Sequence, residues 1–405
     1  MNVLAESYVK LVLAVGQHDA GYVDAYYGPE AWQAEAEAAQ KPLDAIEEEA
    51  NALIMALEGM RASGRNDMWL LRHQYLLRQL QALTARITML QGTPFRFDEE
   101  SKALYDAVAP TYPEPHFQAV LDRLDTLLPG EGALVDRYAR FKQDFVIPPE
   151  KLDTVFTAAI EEARRRTRAY IDLPPEESFV VEYVTDKPWS GYNWYQGNAH
   201  SVIQVNTDLP IYIDRAIDLA SHEGYPGHHL YNALLEKHLV DERGWVEFSV
   251  YPLFSPQSLI AEGSANYGIE VAFPRAERLA FERAVLFPLA GLDPDRVEAY
   301  YTVADLAGQL SYAGNEAARR YLDGEIDAEA AAQWLATYAL MPLERARQRV
   351  RFIDTYRSYV INYNLGQDLV KTYIEGRGGT ANQPEKRWRE FSALLSSPRL
   401  PSGLE

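Results

Sequence analysis

Along the first 175 residues, apolar positions recur at intervals of three and four, the spacing of a single buried face on an α-helix. The clearest run follows Asn66 and Asp67, which offer N-terminal caps. Leu71, Tyr75, Leu76, Leu80, Leu83, Ile87 and Leu90 then fall on one stripe, and Gly92 with Pro94 stops it. The same periodicity predicts helices at 43–57, 117–128, 133–145 and 151–170, punctuated by PGEG at 129–132 and PP at 148–149. His73 and His116 stand singly among apolar neighbours and read as packing or helix-surface residues.

The pattern changes near residue 176. SFVVEYV at 178–184 is β-branched and aromatic, and HSVIQV at 200–205 sets Val202 and Ile203 among polar neighbours, so both read as strands. The stretch between them, rich in Gly, Asn and aromatics, reads as a loop. An exposed edge of such a strand pair could hold an extended peptide by main-chain hydrogen bonds. Asn193, Gln196 and Asn206 could add contacts, though turn formation explains the asparagines equally well. Helical spacing returns at 256–271, 276–325 and 328–351. At 355–373 Tyr356, Tyr359 and Tyr363 make one stripe, which by periodicity alone is ordinary aromatic packing. The chain thus divides into a helical region, 1–175, and a second region, 176–405.

The chemistry gathers where strand pattern gives way to helix, at HEGYPGHH, 222–229. A histidine followed by a glutamate, with further histidines within two turns, places imidazoles on a metal and a carboxylate beside its water. The usual HExxH spacing sets two imidazoles about 40° apart and roughly 6 Å along a helix. Here His228 and His229 lie six and seven residues beyond His222, and neither pair fits a regular helix. Pro226 between Gly224 and Gly227 predicts a bulge or break between Glu223 and His228. Such a bulge favours His228 as the second ligand, with His229 as the alternative. Glu262, 34 residues after His228, is the candidate third ligand; Asn266 and Glu270, one and two turns on, could orient ligand imidazoles. Two histidines and one carboxylate leave a position open for water, the arrangement of catalytic zinc.

Composition narrows the partners. The 405 residues carry a net charge of −20, which argues against nucleic acid or an anionic membrane as partner. There is no cysteine, so zinc must be held by His, Asp or Glu. The N-terminal apolar run is preceded by Glu6 and interrupted by Lys10 and reads as an amphipathic helix, with no signal peptide and no transmembrane stretch, so a cytoplasmic location is the default. Arg357 and Lys371 are cationic positions that could receive a substrate carboxylate.

With these residues in hand, the chain resembles an uncharacterised bacterial family marked by HExxPGHH followed by EGxA, here HEGYPGHH and EGSA, over roughly the last 230 residues. Ser264 stands where that family usually has Trp. More distantly the layout looks like helical gluzincin peptidases, such as the Taq-type carboxypeptidases, and YVINYNLG is similar to their GYxPTYxLGN segment. The resemblance implies a mainly α fold split by a channel, with a small antiparallel β-sheet beside the zinc helix. It also implies a zinc metallopeptidase of carboxypeptidase or oligopeptidase type, acting on a peptide or small amide. In it Glu223 serves as general base, and Tyr359 first or Tyr363 second stabilises the oxyanion.

Overall fold

The computed structural model describes residues 1–60, 64–187 and 189–404, and within them helix follows helix, with five short strands. The capped run opens on Asn66, whose Oδ1 accepts from the Trp69 amide at 2.8 Å, and the helix spans Asp67–Leu90. The helices anticipated at 43–57, 117–128, 133–145 and 151–170 are found as Leu43–Glu58, Glu114–Leu127, Leu134–Gln143 and Leu152–Arg168. His73 packs on Trp69 and meets the Leu57 carbonyl, and His116 stacks on Tyr112, so both are packing residues.

Two apolar cores form, and each draws on distant parts of the chain. One joins Ala5–Leu128 to Val303–Leu365. The other joins Phe145–Ile171 to Val205–Tyr301 and closes on Val370–Leu404. Between them runs a cleft of about 1260 Å³.

Strand β1 (Val23–Tyr26) follows Asp19, Ala20 and Gly21 along the cleft wall. Strands β2 (Ser178–Val184), β3 (Gly191–Tyr195) and β4 (His200–Asn206) form one sheet with β4 in the middle, and β5 (Val250–Pro252) pairs antiparallel with β1. Both anticipated strands are present, but β2 runs parallel to β4, Ser178 opposite His200, so they are not a hairpin. The antiparallel partner of β4 is β3, inside the stretch expected to be a loop. Trp194 and Tyr192 keep the aromatic character of a strand there; Gly191 and the asparagines masked it, and Pro188 of that stretch lies outside the described residues. The ladder of β1 and β5 is irregular between Val23 and Ala25, and this bulge turns Asp24 into the cleft.

After β4 comes a helix at Asp214–Leu219, a π-turn at Ala220–Gly224, an extended Tyr225, and a new helix at His228–Leu235. This is the interruption that the Gly and Pro spacing predicts. Farther on, Pro256–Ala272 is one buried helix. The tyrosine stripe is not one helix. Leu343–Tyr356 ends at Arg357, φ 52°; a single 3-10 turn follows, and Ile361–Gly376 continues in a new direction. Glu100 holds that corner, taking the Arg357 Nε at 2.6 Å and the Ser358 amide at 3.0 Å.

Helices 256–272 and 361–376 cross almost backbone to backbone. A Cβ on Gly263 would lie 2.3 Å from the Gly366 carbonyl carbon, and one on Gly366 would lie 2.7 Å from the Leu259 carbonyl oxygen. Only glycine permits that approach.

Candidate metal centre and cleft

The π-turn inserts a wider loop of backbone into the helix, with the Tyr225 amide reaching the Ala220 carbonyl at 3.0 Å. His222 and Glu223 sit on this turn. The chain then folds back so tightly that a Cβ on Gly227 would stand 1.8 Å from the His222 carbonyl oxygen. Folding back brings His228 beside His222, and their Nε2 atoms lie 3.1 Å apart. The helix at 256–272 delivers Glu262, whose Oε2 is 3.2 Å from the His222 Nε2 and 3.7 Å from the His228 Nε2. One candidate ligand atom from each of the three residues lies within 4.8 Å of the others.

The hydrogen bonds around this cluster fix the ligand side chains and leave one carboxylate oxygen open. His222 Nδ1 meets the Asn266 Oδ1 at 2.9 Å, and the Asn266 amide nitrogen donates to the Tyr363 carbonyl at 2.8 Å. That second bond fixes which way the amide points. The His222 proton therefore sits on Nδ1, and the Nε2 lone pair faces the cluster. Tyr359 donates to Glu262 Oε1 at 2.8 Å. Glu262 is 7% exposed, and its Oε2 is buried with no hydrogen-bond partner among the described residues. A buried carboxylate oxygen in that condition is costly unless a cation completes it.

The cluster fits zinc in donor type and spacing. Bonds of about 2.0–2.2 Å in a tetrahedron set ligand atoms roughly 3.3–3.6 Å apart, close to the separations found. Burial opposes charge on His228, but Glu262, Glu223 and Asp24 overcome it and push its pKa up to about 9. Burial likewise raises the Glu262 carboxyl, but the two imidazoles outweigh it and hold the group well below the ordinary range. An acidic pocket with two imidazoles is one that attracts a cation.

Glu223 is buried and lines the cleft. A Cβ on Gly191 would lie 2.9 Å from Glu223 Oε1 and 2.7 Å from Leu219 Cδ2, so strand β3 must pass here without a side chain. Asn193 of β3 donates to the Glu223 carbonyl at 2.8 Å and pins the turn from its other side. Asn206 likewise bonds the carbonyls of Lys187 and Trp189, the turn role and not a contact reserved for a peptide.

His229 takes no part in the cluster. It is 0% exposed; its Nδ1 meets Ser201 Oγ at 2.8 Å and its Nε2 meets Glu177 Oε2 at 3.3 Å. Successive helix positions point about 100° apart, so when His228 faces the cleft its neighbour turns to the sheet. Glu270 does not orient an imidazole: it pairs with Lys371 at 2.7 Å and Gln367 at 2.9 Å. Lys371 and Arg357 are thus both occupied by carboxylates and are not free to receive a substrate's. Tyr359 is buried with its hydroxyl on Glu262, whereas Tyr363 lines the cleft and its hydroxyl has no protein partner among the described residues. Burial, then the Glu262 charge, raises the pKa of both phenols, so both stay protonated hydrogen-bond donors at neutral pH.

Asp24 is a neighbour that local sequence gave no reason to select. The Tyr192 hydroxyl donates to it, and burial pushes its carboxyl up to about 6 against that bond. Ser264 is buried, bonds the Ala261 carbonyl at 3.2 Å and is not part of the cleft wall.

No family model matches the chain, and no curated protein matches it in sequence. Solved structures do. A protein from Colwellia psychrerythraea, provisionally named a lipoprotein, superposes with a TM-score of 0.54 at 15% identity, covering 88% of this chain and 68% of its own. A second provisionally named lipoprotein of unknown function, from Shewanella oneidensis, gives 0.48 at 14%, with 93% and 78% covered. An M32 carboxypeptidase from Deinococcus radiodurans R1 gives 0.38 at 14%, with 98% and 89% covered. The likeness to the Colwellia protein establishes a shared fold. Among the described residues, no helix is long and apolar enough to cross a membrane.

Proposed function

We propose that the protein is a zinc-dependent hydrolase of peptide bonds, acting on short peptides, with His222, His228 and Glu262 as metal ligands. The observation that carries this reading is the unpartnered Oε2 of Glu262, facing two imidazole nitrogens at the wall of a cleft, with the Glu223 carboxylate beside it. Bound there, zinc would polarise a carbonyl and make a water more acidic.

The chain's own groups supply the remaining chemistry. Glu223 accepts the proton of the attacking water and returns it to the leaving amine. Tyr363, with its free hydroxyl, donates a hydrogen bond to the oxyanion, and Tyr359 holds Glu262 in place. This reverses the order of the two tyrosines expected from sequence, because the Tyr359 hydroxyl is already engaged. Strand β3 is a sheet edge lining the cleft, suited to align an extended peptide by main-chain hydrogen bonds. That edge favours a peptide over another amide or ester. A closed four-ligand structural site would need His229, and that ring is spent on Ser201 and Glu177. Membership of the HExxPGHH family and a cytoplasmic setting belong to the same proposal and rest on the sequence.

The test is metal content by mass spectrometry, on wild type beside His222→Ala, His228→Ala, His229→Ala and Glu262→Ala, followed by a peptide-library screen. Near-stoichiometric zinc, lost in the 222, 228 and 262 variants and kept in the 229 variant, is expected. Wild type that holds no zinc after reconstitution sinks the reading.

A further inference from the structure

The chain has 59 acidic residues against 39 basic ones, so an arginine left without a carboxylate is not short of candidates. In the cleft wall two are left so. Arg345 and Arg349 lie on the helix Leu343–Tyr356, four residues apart and hence on one face, and both line the cleft. Among the described residues neither makes an ion pair or a side-chain hydrogen bond. Arg347, on another face of that helix, behaves ordinarily: it pairs with Glu329 at 2.8 Å and Glu344 at 2.6 Å. The other arginines on the cleft are occupied, Arg86 by Asp19 at 2.6 Å and Arg215 by Ser190 and Asp218; of the lysines, Lys142 pairs with Asp214 at 3.9 Å and Lys187 lies over the Trp189 ring.

Arg349 is half-buried and held by rings. Its guanidinium carbon stands 4.3 Å from the Phe352 ring centroid and 6.0 Å from that of Tyr363. Stacking fixes the plane of a guanidinium and leaves its edge donors unused. Tyr363 in turn lies 5.8 Å, centroid to centroid, from Tyr359, whose hydroxyl touches Glu262. The cleft wall therefore runs from the metal cluster through two tyrosine rings to Arg349, and about 6 Å farther along the helix to Arg345. Burial weakens the proton affinity of Arg349; Tyr363 opposes this and the neighbouring Arg345 adds to it.

We propose that Arg345 and Arg349 form a carboxylate-binding subsite of the cleft, which receives the C-terminal carboxylate or an acidic side chain of a peptide lying along it. The fork of a guanidinium matches a carboxylate in two parallel hydrogen bonds, and at half-buried Arg349 each is stronger than at an open surface; Arg345 is exposed and adds its charge beside it. This deepens the peptidase reading and rests on it for the ligand's class.

The experiment measures binding by calorimetry on the full chain carrying Glu223→Gln, so that turnover does not consume the probes. Three probes are used: acetyl-Ala-Ala-Ala as the free acid, the same peptide as its amide, and acetyl-Ala-Glu-Ala amide. The expected result is that one carboxylate-bearing probe binds at least about tenfold more tightly than the neutral amide. That ratio should fall close to one in Arg345→Ala/Arg349→Ala and recover in part in Arg345→Lys/Arg349→Lys. Preference for the free acid assigns the C-terminus as the source, and preference for the glutamyl peptide assigns the side chain. A carboxylate preference that is missing, or that survives the double alanine change, overturns the subsite. Should that variant not fold, Arg349→Gln, which keeps the stem, decides by the same ratio. Loss of zinc or of peptide cleavage would sink the peptidase reading and leave this ratio standing; loss of the ratio with cleavage intact would sink only the subsite.

Discussion

Two carboxylates each meet one of the neighbouring histidines His228 and His229, and their surroundings differ in kind. Glu177 is closed. Its oxygens take Arg164, the Tyr225 hydroxyl and the His229 ring, the last two buried. Glu262 is open, with Tyr359 on one oxygen and only imidazole nitrogens facing the other. A satisfied buried carboxylate stabilises a fold, and an unsatisfied one at a cleft is held ready for something absent from the chain. The difference separates a structural histidine from a candidate ligand one residue away.

Substitutions test that contrast, beginning where the largest effect is expected. Glu223→Gln should retain zinc and lose roughly 10²- to 10⁴-fold in kcat, as removal of a general base does; turnover near wild type, measured on whichever peptide the screen identifies, would remove its assigned role. Glu177→Ala should leave zinc content unchanged but cost about 2 kcal/mol of stability in chemical denaturation, since it leaves the buried Tyr225 hydroxyl and His229 ring without their partner. If zinc is lost instead, the closed and open sites are not independent. Tyr359→Phe should weaken zinc affinity about 10- to 100-fold with little change in melting temperature, read by chelator competition.

The smallest effect is in pH dependence, and the two regions should differ in sign. Burial raises Glu177, but His229, Tyr225 and Arg164 outweigh it, so its folded pKa lies below the unfolded value of 4.5. Its contribution is present above that value and is lost as the solution is acidified through the folded pKa. Asp24 is raised from 3.8 to about 6, so the folded state keeps a proton that the unfolded chain has released. Its favourable contribution is complete below 3.8 and is lost as pH rises through about 6. In metal-free protein Asp24→Asn should therefore raise stability at pH 7.5 by on the order of 1 kcal/mol. At pH 4 it should do little, and a gain equal at both pH values would contradict the assignment.

Much of the helical framework could be read from the chain because caps and apolar spacing are local. Asn66 and the stripe through Leu90 needed no knowledge of their neighbours. The break between Glu223 and His228 was legible for the same reason, in the geometry of Gly and Pro. What escaped depends on what lies across a gap. Asp24 enters the cleft through a bulge set by its pairing with β5, and β3 forms because β4 supplies an edge. Arg357 and Lys371 looked like free cations until Glu100 and Glu270 were found opposite them, while Arg345 and Arg349 gave no sign of lacking partners. Charge in a sequence records what a residue carries, and only the fold records what it faces.

The crossing at Gly263 and Gly366 limits how this protein can change. Each glycine already has the least matter an amino acid can have, and a Cβ on either would strike main chain. No trimming of a side chain elsewhere makes room, so neither position can drift by a compensated pair of substitutions. Glu262 precedes one glycine and Tyr363 lies three residues before the other, which ties the candidate ligand and the candidate oxyanion donor to one rigid joint. A descendant with new chemistry in this cleft would inherit that joint whole, and its innovations would have to come from the walls.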